Sequence, residues 1–252
     1  MIEKKYLAEL FGTGLFAFGI NLSTRYTEGS QLPNLTSIIC IFFSIITIIR
    51  NISGGHINEA VTLGVTVDEI IKNEKQSGPS YKEEISPYKV FVMYYVAQVA
   101  GCVIGCFFSW LIYHGHIFTF VSSKYSNIGV FVAETGCTFI FVYNILIQTS
   151  NRYTSNPSIS TGLISVGLFT AVNMTSTLSS GCINSSLALG HLLAKIFLNF
   201  HLETVEVAQT LFYMGGEFLG GFLAAYCYNL YFKPTLIETE NENATNIESA
   251  RD

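Results

Sequence analysis

Charge is what this sequence has least of. Across 252 residues, Lys and Arg number 13 and Asp and Glu 18, so 12% of positions are charged, about half the share found in a soluble domain. With 20 Phe, 14 Tyr and a mean hydropathy of +0.42, that scarcity excludes an ordinary soluble core and points to a polytopic membrane protein. No basic cluster is present, which argues against nucleic-acid binding. Cys40, Cys102, Cys106, Cys137, Cys182 and Cys227 lie in apolar stretches, with no Cys-x-x-Cys pair and no Cys/His ligand spacing. They read as small apolar packers, not as a disulfide framework or a metal site. No Gly-x-Ser-x-Gly nucleophile motif occurs, so an enzyme is not indicated and no cofactor is required. The N-terminal apolar run has no small-x-small cleavage site and is interrupted by Glu9. It reads as a retained first span, not a signal peptide.

What is there is apolar run after apolar run. A span takes about 20 mostly apolar residues, and six segments qualify, at 6–24, 32–50, 88–113, 128–149, 159–178 and 207–232. Two shorter pieces, 57–67 and 184–198, are each about half a span. The polar stretch 68–87 reads as the longest internal linker. Glu238, Glu240, Glu242, Glu248 and Asp252 crowd the tail, so 233–252 is expected to be a disordered acidic segment. Placing both termini on one side gathers Lys4, Lys5, Arg50, Lys72, Lys75, Lys82, Lys89, Arg152, Lys233 and Arg251 there. Only Arg25, Lys124 and Lys195 fall opposite, so both termini are expected to be cytoplasmic.

The chain also repeats itself. AELFGT at 8–13 returns as AETGCT at 133–138, and GHINEAVTLG at 55–64 as GCINSSLALG at 181–190. YVAQVAGCVIG at 95–105 has a weaker echo in MGGEFLGGFLA at 214–224, which aligns Gln98 with Glu217. The copies give two halves, about 6–113 and 128–232, of three spans each. With an odd number of spans per half, the second copy is inserted upside down. Interrupted helices of inverted repeats meet near the midplane, where such proteins keep their sites. Non-helical backbone is tolerated at that depth only where protein buries it or it lines a watery cavity. Each short piece therefore reads as a re-entrant half-helix starting at Asn58 or Asn184, a residue suited to an N-cap and able to offer an amide donor.

These motifs together resemble the aquaporin, or major intrinsic protein, family over nearly all of 6–232. The resemblance implies an all-α membrane protein with six transmembrane helices and two re-entrant half-helices in an inverted 3+3 repeat. It implies a homotetramer with one pore per subunit, in the plasma membrane or an intracellular membrane, passing water or small neutral solutes. By the same resemblance Asn58 and Asn184 line the pore, while Glu9 and Glu134 brace the pore loops and His56 supports the first. The family spacing places a selectivity filter at Ile38, Val172, Gly181 and Leu187.

Departures from the family pattern set the questions. Its Asn-Pro-Ala motifs here read Asn58-Glu59-Ala60 and Asn184-Ser185-Ser186, and its filter arginine is Leu187. Glu and Ser are both acceptable at a helix start, so the half-helices are expected to survive. Glu59 either faces the pore and offsets the positive helix ends, or packs inward against backbone N–H groups. Glu217, where the family usually has Pro, reads as a buried, paired structural acid. His56 and His191 read as hydrogen-bonded structure without a metal-ligand constellation. The expected function is passive conduction of water and small neutral solutes such as glycerol. The alternatives are an ion-leaky channel and a closed structural or adhesion protein of the same fold.

Overall fold

The computed structural model describes residues 3–27, 30–76, 86–113, 116–121, 125–150 and 156–235. The acidic residues beyond Thr235, Lys124, Arg152 and residues 77–85 of the polar stretch, Lys82 among them, lie outside that set. Among the described residues eight α-helices follow one another: α1 Lys4–Ser23, α2 Leu35–Ser53, α3 Glu59–Gln76, α4 Pro87–Tyr113, α5 Asn127–Thr149, α6 Pro157–Ser179, α7 Ser185–Phe197 and α8 Thr204–Cys227. Between α1 and α2 runs an antiparallel hairpin of β1 Thr24–Thr27 and β2 Ser30–Pro33. A π-helical turn, Tyr228–Phe232, continues α8.

Helices α2, α4, α5 and α6 are long and apolar enough to cross a membrane on length and composition alone. The helices α1 and α8, 20 and 24 residues long, reach comparable spans while carrying buried acids that lower their hydropathy. On α2 the buried positions Ile38, Phe42, Ile45, Ile46, Ile49 and Ser53 recur at three- and four-residue steps, the stripe expected of one inward helix face. The opposite faces leave Ile48, Val96, Phe108, Ile128, Val132 and Leu211 exposed. An apolar exterior of this kind suits hydrocarbon.

The two halves are built alike. Helix α1 lies along α4 and α5 along α8, and matched glycines set how close they come. A Cβ at Gly101 would sit 2.1 Å from the carbonyl oxygen of Leu10, and one at Gly220 would sit 2.6 Å from that of Thr135. Neither position admits a side chain.

Two expectations need correction. The first half-helix does not end near residue 67, because α3 runs on to Gln76. The added turns carry Asp68, Glu69, Lys72 and Asn73, and Asp68 pairs with Lys233 at 2.6 Å. A polar helix standing in water has the same hydropathy as a linker, so the apolar boundary concealed it. The second span begins at Leu35, three residues later than its apolar run. Residues 30–33 are drawn into the hairpin, and the Asn34 side chain caps α2 by accepting from Ser37 N at 3.1 Å.

Candidate functional site

Helices α2 and α6 each end in a left-handed residue, Gly54 and Ser180, at φ 90° and 62°. The chain then turns back into the interior along matching paths. Gly55 and Gly181 both have φ 68°, and Ile57 and Ile183 have φ 40° and 52°. A β-branched residue in that region costs on the order of 1–3 kcal/mol and persists only where its surroundings hold it there.

Two glutamates do the holding. Glu9 Oε1 accepts from Ser53 Oγ at 2.6 Å and His56 N at 3.0 Å, while Oε2 accepts from Ile57 N at 2.6 Å and Gln98 Nε2 at 2.9 Å. In the second half Glu134 accepts from Ser179 Oγ, from Cys182 N at 3.3 Å and from Ile183 N at 2.8 Å. Outside each glutamate, a tyrosine hydroxyl donates to the carbonyl that closes the helix, Tyr94 to Ser53 O at 2.8 Å and Tyr213 to Ser179 O at 2.5 Å. Thus buried loop N–H groups, costly to leave alone in an apolar setting, meet acceptors from a neighbouring helix. The His56 ring sits 3.2 Å from Thr62 Oγ1 through Nδ1 and 5.2 Å from the Tyr94 ring centroid.

The loops deliver Asn58 and Asn184 to the starts of α3 and α7. Asn58 Oδ1 accepts from Ala60 N at 2.9 Å and Val61 N at 3.2 Å, and Asn184 Oδ1 accepts from Leu187 N at 3.3 Å. Their NH₂ groups cross over. Asn58 Nδ2 donates to Ile183 O at 2.6 Å and Asn184 Nδ2 to Ile57 O at 2.8 Å. Capping pins each amide oxygen to its own helix, so each NH₂ points away from it with a second hydrogen to offer.

Both asparagines border one cavity of about 30 Å³, room for about two water molecules. Ile38, Val172, Gly181 and Leu187 border the same cavity. So do Phe16, Phe42, Phe118 and Phe120, which the sequence reading missed. Phe118 and Phe120 come from the segment after α4, fastened where Phe118 N donates to Asn21 Oδ1 at 2.7 Å. Only a tertiary contact places them there, and the local sequence carried no signal for it.

A family model for the major intrinsic proteins matches residues 1–228. The chain belongs to the major intrinsic protein family. It is 29% identical to Aquaporin TIP2-3 of Zea mays over 91% of this chain and 88% of that protein. With Aquaporin TIP2-1 of Arabidopsis thaliana it shares 26% identity over 91% and 87%. The X-ray structure of the aquaglyceroporin from Plasmodium falciparum superposes with a TM-score of 0.71 at 19% identity, covering 92% of this chain and 98% of that one. Membership makes this a multi-pass membrane protein with six spans and two half-helices in an inverted repeat.

Within this family fold the two unusual acids turn inward. Glu59 is fully buried, and its Oε2 accepts from Ser186 N at 2.9 Å. Glu217 Oε1 accepts from Asn184 N at 2.8 Å. With Glu134, three carboxyl groups thus gather four backbone N–H groups of residues 182–186. Glu59 is not among the residues bordering the cavity, so its packing alternative is the one the geometry shows. We expect Glu59→Pro to keep α3, since Pro fits a first helical position, but to orphan Ser186 N. The expected result is a loss of about 1–3 kcal/mol, read as a lower melting temperature and folding yield, with ionic current unchanged. A changed cation current at normal yield would return Glu59 to the pore.

Cys102 and Cys106, expected as small apolar packers, and His191, expected as hydrogen-bonded structure, are all buried, and the fold brings them together, with one ligand atom from each within 4.8 Å of the others. Cysteines four apart share a helix face, but only the packing of α7 on α4 brings the histidine to them.

Proposed function

We propose that this protein is a passive channel for water and small neutral solutes such as glycerol. The observation that carries the proposal is the single cavity bordered by both asparagines and by Ile38, Val172, Gly181 and Leu187. A solute entering it meets an aliphatic and aromatic wall with few polar stations. The free hydrogens of Asn58 and Asn184 sit at its inner end, where the starts of α3 and α7 converge. Positive helix ends at that point disfavour cations, and no step requires covalent chemistry. Ile38, Val172, Gly181 and Leu187 act as the constriction, and Glu9, Glu134 and His56 act as loop support. The relatives named as aquaporins and the aquaglyceroporin fold neighbour support the same solute class.

The assembly we propose is a homotetramer with both termini cytoplasmic, in the plasma membrane or an intracellular membrane. The orientation rests on ten Lys and Arg against three. The test is stopped-flow shrinkage of proteoliposomes holding purified protein. Protein-dependent water flux well above that of empty vesicles is expected, with glycerol and urea gradients ranking the solutes. Folded protein that leaves vesicle permeability unchanged would favour the closed structural reading instead.

A further inference from the structure

The inverted repeat supplies an internal control for every buried polar cluster, and one cluster has no counterpart in the other half. Cys102 and Cys106 of α4 face His191 of α7, and all three are buried. Cys102 Sγ lies 3.3 Å from His191 Nδ1. Asn21 of α1 closes the group, with Nδ2 3.1 Å from His191 Nε2 and 3.8 Å from Cys106 Sγ. The repeat offsets put Gly221, Ala225, Val65 and Leu146 at the corresponding places of the other half. Those four positions hold no thiol or imidazole, and α3 packs on α8 with Gly221 sitting where a Cβ would meet Ala60 O at 2.6 Å. The fold therefore does not need this cluster to join a half-helix to its neighbour.

From this asymmetry and the geometry we propose that Cys102, Cys106 and His191 form a Cys₂His site for a thiophilic divalent cation of the zinc type. His191 Nδ1 lies 2.8 Å from Leu187 O, a carbonyl that can only accept. Nδ1 therefore carries the proton and Nε2 the lone pair. An imidazole whose other N–H is held by a backbone carbonyl is the usual arrangement at a metal ligand. Two sulfurs on one zinc at ~2.3 Å each stand roughly 3.8 Å apart in tetrahedral geometry; Cys102 Sγ now approaches the ring on its Nδ1 side, at 3.3 Å, so binding through Nε2 requires the thiol to turn toward that nitrogen. Binding turns two thiols into thiolates and releases two protons. A dication, two thiolates and a neutral imidazole sum to zero, the charge state a low-dielectric interior tolerates best. The Asn21 amide, which meanwhile donates to Ala17 O at 2.8 Å, gives up Nε2 to the ion. A small cavity bordered by Phe118, Phe120, Ala188 and Lys195 reaches His191 and provides the way in.

The site sits behind Leu187, whose carbonyl faces both Cys102 Sγ at 3.8 Å and His191 Nδ1. The occupant would fix the backbone behind one wall of the cavity.

The test is metal binding by the purified full chain in detergent, with Zn²⁺ and Cd²⁺ as probes. One equivalent per chain is expected, with release of two protons and a thiolate-to-Cd²⁺ charge-transfer band. The Cys102→Ser/Cys106→Ser double variant should weaken binding more than about 100-fold, beyond the usual cost of losing an outer partner. Cys40→Ser should bind as the parent does. Should the double variant fail to fold, the single variants Cys102→Ser and Cys106→Ser are used, each expected to weaken binding and to lose part of the thiolate-to-Cd²⁺ band. No stoichiometric binding by the folded parent, or binding and band retained in the double variant or in both single variants, would overturn the site.

Discussion

Glu134→Ala is expected to remove folded protein from the membrane, not to alter what passes through it. The carboxyl group is fully buried and accepts from Ser179 Oγ, Cys182 N and Ile183 N. Truncation to a methyl leaves Cys182 N and Ile183 N without an acceptor in an apolar interior, at about 1–3 kcal/mol each, while Ser179 Oγ keeps only its longer bond to Thr175 O at 3.3 Å. The same carboxylate holds Ile183 at its positive φ of 52°, so the strain stored there loses its restraint as well. The sum is a large fraction of the stability of a typical domain. The expected readout is a collapse in monodisperse yield, with any surviving fraction melting far below the parent. Glu134→Gln, which keeps one acceptor oxygen, should fall between. A Glu134→Ala protein of parental yield and melting temperature would mean that the loop is held some other way.

Leu187→Arg should produce the largest change in selectivity. Leu187 is 2% exposed and borders the cavity beside Ile38, Val172 and Gly181. At that place leucine offers neither charge nor donor, whereas a guanidinium brings both and fills more of the cross-section. Cations and hydronium then meet a fixed positive charge in a poorly screened passage. Glycerol meets a narrower one. A difference of only ~1.4 kcal/mol between two barriers is tenfold in relative rate, so the glycerol-to-water permeability ratio should fall at least about tenfold. Any ionic conductance should fall with it. Water, glycerol and ion flux measured in the same membranes decide the matter. An unchanged solute ranking would show that Leu187 does not stand at the narrowest point.

The sequence disclosed most where the molecule repeats itself. Asn58 and Asn184 recur in matched surroundings, and so do Glu9 and Glu134. Two copies of one local pattern identify a role that either copy alone would leave ambiguous. The structure puts each of these residues in the same bonding pattern as its partner. What hydropathy could not show was anything polar and helical, such as the last turns of α3, or anything made by distant segments. Phe118 and Phe120 reach the cavity because a loop is tied to Asn21, and the Cys102–Cys106–His191 cluster exists because α7 lies on α4. Such contacts join residues some 85 to 97 positions apart, and no spacing rule in a linear chain anticipates them. Glu59 illustrates the middle ground. Its unusual place was plain from the sequence, but whether it turned to the cavity or to Ser186 was a question of side-chain direction.

The crossed amides bear on how the chain is made. Asn58 donates to a carbonyl 125 residues downstream, and Asn184 to one 127 residues upstream. A ribosome working from the N-terminus therefore completes the first half-helix long before its bonding partner exists. Until residue 183 has been synthesised and threaded, the Asn58 donor has no native acceptor, and hydrocarbon offers no water in its stead. The crossed bonds can therefore close only once the second loop has arrived, which makes the final fixing of the first loop a late step of biogenesis.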